Sequence, residues 1–200
     1  MQGEGSKDFC EERRVAGKIL IAYATKWGST EETARFIGEA FAAEGAEAEV
    51  KSVHEVSDLE GCRAVLLGSP LYSGKLLGEA YGFEKTHREA LSRIPRALFI
   101  TCLTMARPSR GNVQKVVSQT RPFVETFRPA DVGLFAGKLD YSNVGFLYRL
   151  FMRLAKIPEG DFRNWDVIRG WAKDVLGVLS GGGVQQPAGS PTRKDADKRQ

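Results

Sequence analysis

Residues Ile19–Phe41 read ILIAYATKWGSTEETARFIGEAF, an apolar run that stops at a short loop of hydroxyls and one glycine and passes straight into a helical pattern. The segment Lys18–Ala24 is β-branched and apolar with no helical period, which predicts a strand covered on both faces. Thr30–Ala43 predicts an amphipathic helix with Ala34, Ile37 and Phe41 inward, and with Gly38 on that same face allowing close approach to a sheet. A buried strand therefore delivers the chain to a helix start, a place that attracts anions.

The alternation continues along the chain. Strands are expected at Ala48–Val53, Ala64–Ser69 and Ala97–Leu103, with helices at Gly78–Ser92 and Asn164–Leu179. Val113–Phe127 and Val132–Leu139 are a further helix and strand candidate. Strands separated by helices of ten or more residues imply an α/β, doubly wound parallel sheet with helices on both faces. At 200 residues and 42% hydrophobic content, one sizeable core is expected. We divide the chain into a flexible extension at 1–17, one domain at 18–180 and a disordered tail at 181–200 whose Gly, Pro and mixed charges cannot bury a core.

Charge and cysteines narrow the class. The net charge of +4 suits an acidic partner, an anionic cofactor or a membrane surface. Cys10, Cys62 and Cys102 are too dispersed for a disulfide framework or a zinc site, and His54 and His87 show no ligand spacing, so no metal is expected and a reducing cytoplasm is the natural location. The start has no apolar signal core, and no window is long enough to span a membrane. The tail interleaves Asp195 and Asp197 with its cations and has no aromatic residue, so no nucleic acid is expected as partner.

Ligands of doubly wound sheets sit at the carboxyl ends of the strands. The loop ATKWGSTEET satisfies neither GxGxxG nor GxxxxGK[ST], and the ends of the first and third strands, Ala24-Thr25 and Gly68-Ser69, lack the acids that a magnesium-binding receiver domain needs. What remains is Thr25, Lys26, Trp27, Gly28, Ser29 and Thr30 at a helix start. That set suits a phosphate monoester; Ser29 or Thr30 simply capping the helix with Glu31 or Glu32 is the other reading. A second loop, Gly68–Leu76, holds Ser69, Pro70, Leu71, Tyr72, Ser73 and Gly74, with Tyr72 at its tip where a ring could stack on a flat ligand. A third offers Leu103, Thr104, Met105 and Ala106, followed by Arg107 and Arg110. One monophosphate pocket with one aromatic shelf describes flavin mononucleotide (FMN) better than a dinucleotide. No side chain stands in a recognisable nucleophile elbow, and no protein acid or base is singled out as catalytic.

The motif ATKWGSTEETA resembles the flavodoxin phosphate loop of Thr-x-x-Gly-x-Thr form, and GSPLYSG is similar to its ring-contacting loop. The resemblance runs from Lys18 to about Leu179, and FAGKLDYSNVGFLYRLFMRLAKIPEGDFRNWDVIRGWA is similar to the C-terminal part of the flavodoxin-like quinone-dependent protoporphyrinogen dehydrogenases and their uncharacterised relatives. The resemblance implies a flavodoxin-like five-stranded sheet and non-covalent FMN. Thr25, Ser29 and Thr30 would bond the phosphate, Tyr72 would lie against the ring, and Leu103–Ala106 would pass its other edge. It further implies an FMN-dependent oxidoreductase with a quinone or other redox partner; the alternative is a flavodoxin-type electron-transfer protein without its own substrate. A flavin-independent binding module is a third reading. Carriers of that kind are typically acidic, whereas this chain has a pI near 9.0. Leu71 and Ser73–Lys75 stand where those dehydrogenases carry an arginine and a histidine.

Within an inserted segment at 141–160, residues 144–157 place Leu147, Leu150, Phe151, Leu154 and Ile157 on one helical face and Arg149, Arg153 and Lys156 on another. Such a basic amphipathic helix can pack on its own domain, mediate a homodimer or lie at the inner face of a membrane, where quinones are reached. Trp165 and Trp171 are expected to be packing residues of the last helix.

Overall fold

The computed structural model describes residues 17–139 and 159–181. In chain order the elements are β1 (Lys18–Tyr23), α1 (Ser29–Ala43), β2 (Ala48–Ser52), β3 (Cys62–Tyr72), β4 (Lys75–Leu76), α2 (Gly78–Leu91) and β5 (Arg96–Cys102). A 3-10 turn at Leu103–Ala106 leads to α3 (Arg110–Phe127), β6 (Val132–Ala136), β7 (Lys138–Leu139), β8 (Gly160–Asp161) and α4 (Trp165–Ser180). The expected extension at 1–17 and tail at 181–200 fall almost wholly outside the described residues, as does the amphipathic segment at 144–157.

Five strands pair in parallel in the order β2-β1-β3-β5-β6, while β4 adds antiparallel to the end of β3. Alternation along each buried strand separates two cores. Ile19, Ile21, Leu66 and Phe99 point to the face covered by Ala34, Ile37 and Phe41 of α1 and by Ile168, Ala172 and Val175 of α4. Leu20, Ala22, Leu67 and Ile100 point to the face covered by Ala80 and Phe83 of α2 and by Phe123 and Phe127 of α3. The predicted inward face of α1 is the observed one, and a Cβ on Gly38 would meet Val50 Cγ2 at 2.8 Å, which is the expected close approach to the sheet.

Two segments differ in kind from expectation. The stretch read as a loop from Gly68 to Leu76 is mostly strand: β3 continues through Pro70 to Tyr72 and folds back through a two-residue turn at Ser73 (φ 47°) and Gly74 (φ 80°). Both central residues have positive φ, the requirement of a type I′ hairpin. The proline is tolerated because Ala24 N–H donates to Gly68 O, so that even-numbered residues of β3 turn their backbone toward β1; at Pro70 that strand has already ended. The single strand expected at Val132–Leu139 is divided at Gly137 into β6 and β7, and β7 pairs antiparallel with β8.

The tryptophans of the last helix pack as expected. Trp171 lies edge-on to Phe135 and donates its Nε1–H to Asp131 Oδ2 at 2.9 Å, while Trp165 packs against Phe36. Replacing Trp171 with Phe keeps most of the packing and leaves Asp131 Oδ2 without this donor, while Val132 N–H still donates to Oδ1, so urea titration should show a loss of about 1–2 kcal/mol.

Candidate functional site

A crevice of about 200 Å³ opens at the carboxyl ends of β1, β3 and β5, beside the point where strand order reverses. Its walls include Thr25, Lys26, Trp27, Ser29 and Thr30 before and within the first turn of α1, Pro70, Leu71, Tyr72 and Ser73 of the hairpin, and Leu103 and Thr104. Ligand pockets commonly enclose roughly 300–1,000 Å³. A mononucleotide-sized molecule would therefore be only partly enclosed by it, with the remainder at an open mouth.

The helix start is not capped by a side chain. Gly28 is the capping residue, in the left-handed region (φ 83°), and no side chain accepts from the first turn of α1. The alternative reading, in which Ser29 or Thr30 closes a capping box, is therefore not what the helix start does. The first-turn N–H groups of Ser29, Thr30 and Glu31 lie beyond the reach of the helix's own carbonyls and carry its positive dipole end. The hydroxyls are positioned from elsewhere. Thr25 Oγ1 accepts from Gly28 N–H at 3.0 Å, and Ser29 Oγ accepts from Lys138 N–H at 2.9 Å. An oxygen already accepting a backbone proton keeps its own O–H for donation, so both hydroxyls are set to donate to an anion. Thr30 is buried and its Oγ1 lies 2.9 Å from Thr101 Oγ1, fixing the first turn against β5.

The opposite wall is aromatic. Tyr72 ends β3 opposite Lys75, and the Lys26 ammonium lies 5.7 Å from the Tyr72 ring centroid and 5.4 Å from that of Trp27. A cation thus bridges the two rings that border the mouth. Ser69 is buried below the crevice rather than in its wall: its hydroxyl donates to Pro70 O at 3.1 Å and accepts from Leu77 N–H at 3.2 Å, tying the hairpin to the start of α2. Gly74 forms the turn and abuts Gln119, Gly28 contributes backbone conformation, and Met105 and Ala106 continue the half-buried 3-10 turn without lining the crevice. Arg107 and Arg110 are exposed and outside the wall. His87 is buried against Phe83 at 4.8 Å, far from the crevice wall.

Five lining residues were not expected: Thr101, Cys102, Gly137, Lys138 and Leu139. The glycine at 137 was the available signal, since it breaks a strand pattern at the carboxyl edge of the sheet. Burial pushes the Cys102 thiol up from its ordinary range, so this wall residue is a protonated, weakly nucleophilic group.

Arg163, also unforeseen, lies behind the helix start. Its side chain is 2% exposed and donates to Glu32 Oε2 at 2.6 Å, Asp161 Oδ2 at 2.6 Å and Ser29 O at 3.4 Å, with its guanidinium 4.3 Å from the Trp165 ring centroid. The hydrogen bond from Arg163 holds the Asp161 carboxyl below the ordinary carboxylate range. A depressed carboxylate stabilises the fold above its unfolded value, near 3.9, and that contribution is lost as pH falls through the folded value. Melting curves at pH 6 and pH 3 should therefore show a smaller acid-induced drop for R163Q than for wild type.

A parallel sheet in this order with an anion-attracting helix start and an aromatic hairpin at its switch point defines a doubly wound ligand-binding domain. A family model described as flavodoxin domain matches residues 20–165, and the chain belongs to the flavodoxin family. Membership supports a flavin cofactor, and the donor set at the start of α1 fits a flavin with a terminal phosphate. Protoporphyrinogen IX dehydrogenase [quinone] of Escherichia coli (strain K12) is 24% identical over 171 residues, covering 79% of this chain and 94% of that protein. Among solved structures, rubredoxin:oxygen oxidoreductase of Desulfovibrio gigas superposes with a TM-score of 0.53 at 15% identity, covering 85% of this chain and 38% of that one. A flavodoxin of Streptococcus pneumoniae TIGR4 superposes with a TM-score of 0.50 at 15% identity, covering 82% of this chain and all of its own. These superpositions establish the fold. Among the described residues, no helix is long and apolar enough to cross a membrane.

Proposed function

We propose that this chain binds FMN without a covalent link in the crevice and is an FMN-dependent oxidoreductase of the protoporphyrinogen dehydrogenase kind, passing electrons from a reduced organic substrate to a quinone. The observation that carries the cofactor assignment is the pair of hydroxyls, Thr25 and Ser29, each accepting a backbone proton and thereby offering its own to an anion at the mouth of α1. Thr25, Lys26, Trp27, Gly28, Ser29 and Thr30 surround the phosphate; Ser69–Gly74 present Tyr72 to the ring; Leu103–Ala106 follow its other edge. When bound, the flavin supplies the hydride or single-electron chemistry. The protein binds and orients it, and the shallow crevice leaves part of it accessible to a partner. The activity assignment rests on the relative in Escherichia coli, which the chain matches over nearly that protein's full length.

Purified protein mixed with FMN should develop a perturbed flavin absorbance spectrum, with a dissociation constant in or below the micromolar range by fluorescence quenching. Anaerobic mixing with protoporphyrinogen should bleach it, and a menaquinone analogue should restore it. Absence of any spectral change on adding FMN removes the cofactor reading. Bleaching by a chemical reductant but not by protoporphyrinogen leaves an electron-transfer protein, a reading that Leu71 in place of the dehydrogenases' arginine favours. Residues 144–157 remain part of the proposal as a contact for membrane or second copy, tested by sedimentation with anionic vesicles.

A further inference from the structure

The binding of FMN proposed above does not explain why an arginine distant in sequence, its side chain only 2% exposed, reaches the first turn of α1. Glu32 points its carboxylate from that turn, on the same helix end that would receive the phosphate. Left alone, a carboxylate there opposes a second anion. The structure surrounds it with two cations: Arg163 Nη2 at 2.6 Å and Lys138 Nζ at 3.6 Å. Both come from one small unit, the antiparallel pair β7–β8 with the residues just after it: Lys138 lies in β7, facing Asp161 of β8, and Arg163 follows β8 by two residues. The same unit controls Ser29 twice, since the Lys138 amide donates to its hydroxyl oxygen and Arg163 donates to its carbonyl. Asp161 fixes the guanidinium through two further hydrogen bonds, and Trp165 covers its face.

We infer that Arg163 is a positioning residue for the cofactor phosphate: with Lys138 it cancels the Glu32 charge and holds Ser29 in its donating orientation, so that anion affinity at α1 is set by the β7–β8 unit. Arg163 itself touches no ligand in this role, because its side chain lies behind the turn and four of its five N–H groups donate to protein acceptors. The inference rests on the FMN reading, and its consequence is specific to the phosphate. Riboflavin has the same ring system without that charge and supplies the control.

The test measures dissociation constants for FMN and riboflavin by flavin fluorescence with wild type, R163Q, E32Q and the double variant. R163Q should weaken FMN by about tenfold, more strongly at low salt, while changing riboflavin less than about twofold. E32Q alone should tighten FMN, and adding it to R163Q should recover most of the lost affinity. A merely structural arginine would lower the affinity for both ligands together and would gain nothing from E32Q, and that result overturns the inference. Should R163Q fail to fold, E32Q decides alone: unchanged or weaker FMN binding rejects the charge argument. Wild type that ignores FMN rejects the cofactor reading and this inference with it; wild type that binds FMN while R163Q is indistinguishable from it rejects only the latter.

Discussion

Ser29→Asp should leave a folded protein that has lost FMN. The carboxylate still offers an acceptor to the Lys138 amide, which Ser29 Oγ now satisfies at 2.9 Å. An acid in the first turn also suits the positive end of α1. Stability should therefore stay within about 1 kcal/mol of wild type. The ligand meets the reverse situation. A fixed negative charge about 4 Å from a phosphate opposes it by roughly 3 kcal/mol at the effective dielectric of a partly open site, which is on the order of 100-fold in affinity. Riboflavin binding should survive. Thermal melting together with titration of both flavins decides the matter: equal losses for FMN and riboflavin would show that the phosphate does not bind at this turn.

The second large effect lies under the site rather than in it. Gly68 ends the part of β3 paired with β1 and faces Phe99 on β5, and a Cβ built at Gly68 would fall within the van der Waals envelope of the Phe99 ring. Phe99 is fully buried between the sheet and the layer formed by α1 and α4. Phe99→Ala should cost about 3–5 kcal/mol, a large share of the 5–15 kcal/mol typical of a domain. Gly68→Ala alone should cost about 1–3 kcal/mol through overpacking. The two changes touch the same space, so in the Phe99→Ala background the added methyl should cost nothing or restore stability. Urea titration of the four proteins reads the coupling. Strictly additive costs would mean that the Gly68 methyl is penalised by something other than the Phe99 ring.

The loop between β1 and α1 was legible because its signals are local. The run Lys18–Ala24, the glycine at 28 and the hydroxyls around it mark a strand, a turn and a helix start within a dozen residues, and the inward face of α1 follows from helical period alone. Pro70 misled the reading of its surroundings. Proline is a sound sign of a loop in a central strand, yet here the missing N–H falls where β1 has ended, a circumstance set by how far a neighbouring strand extends. The alternative in which Ser29 or Thr30 caps the helix does not hold for a related reason: their hydroxyls are claimed by Lys138 and Thr101, which lie more than seventy residues away in the chain.

By itself, then, the order of residues determined the alternating strands and helices, the inward face of α1 and the loop from Thr25 to Thr30, because periodicity and backbone freedom act over a few neighbouring residues. Only the tertiary structure decided that β7 and β8 meet, that Arg163 is buried against Glu32, and that Thr101, Cys102 and Lys138 complete the crevice. Those contacts join segments distant along the chain, and a charged side chain gives no local sign of whether it will end in water or behind a helix.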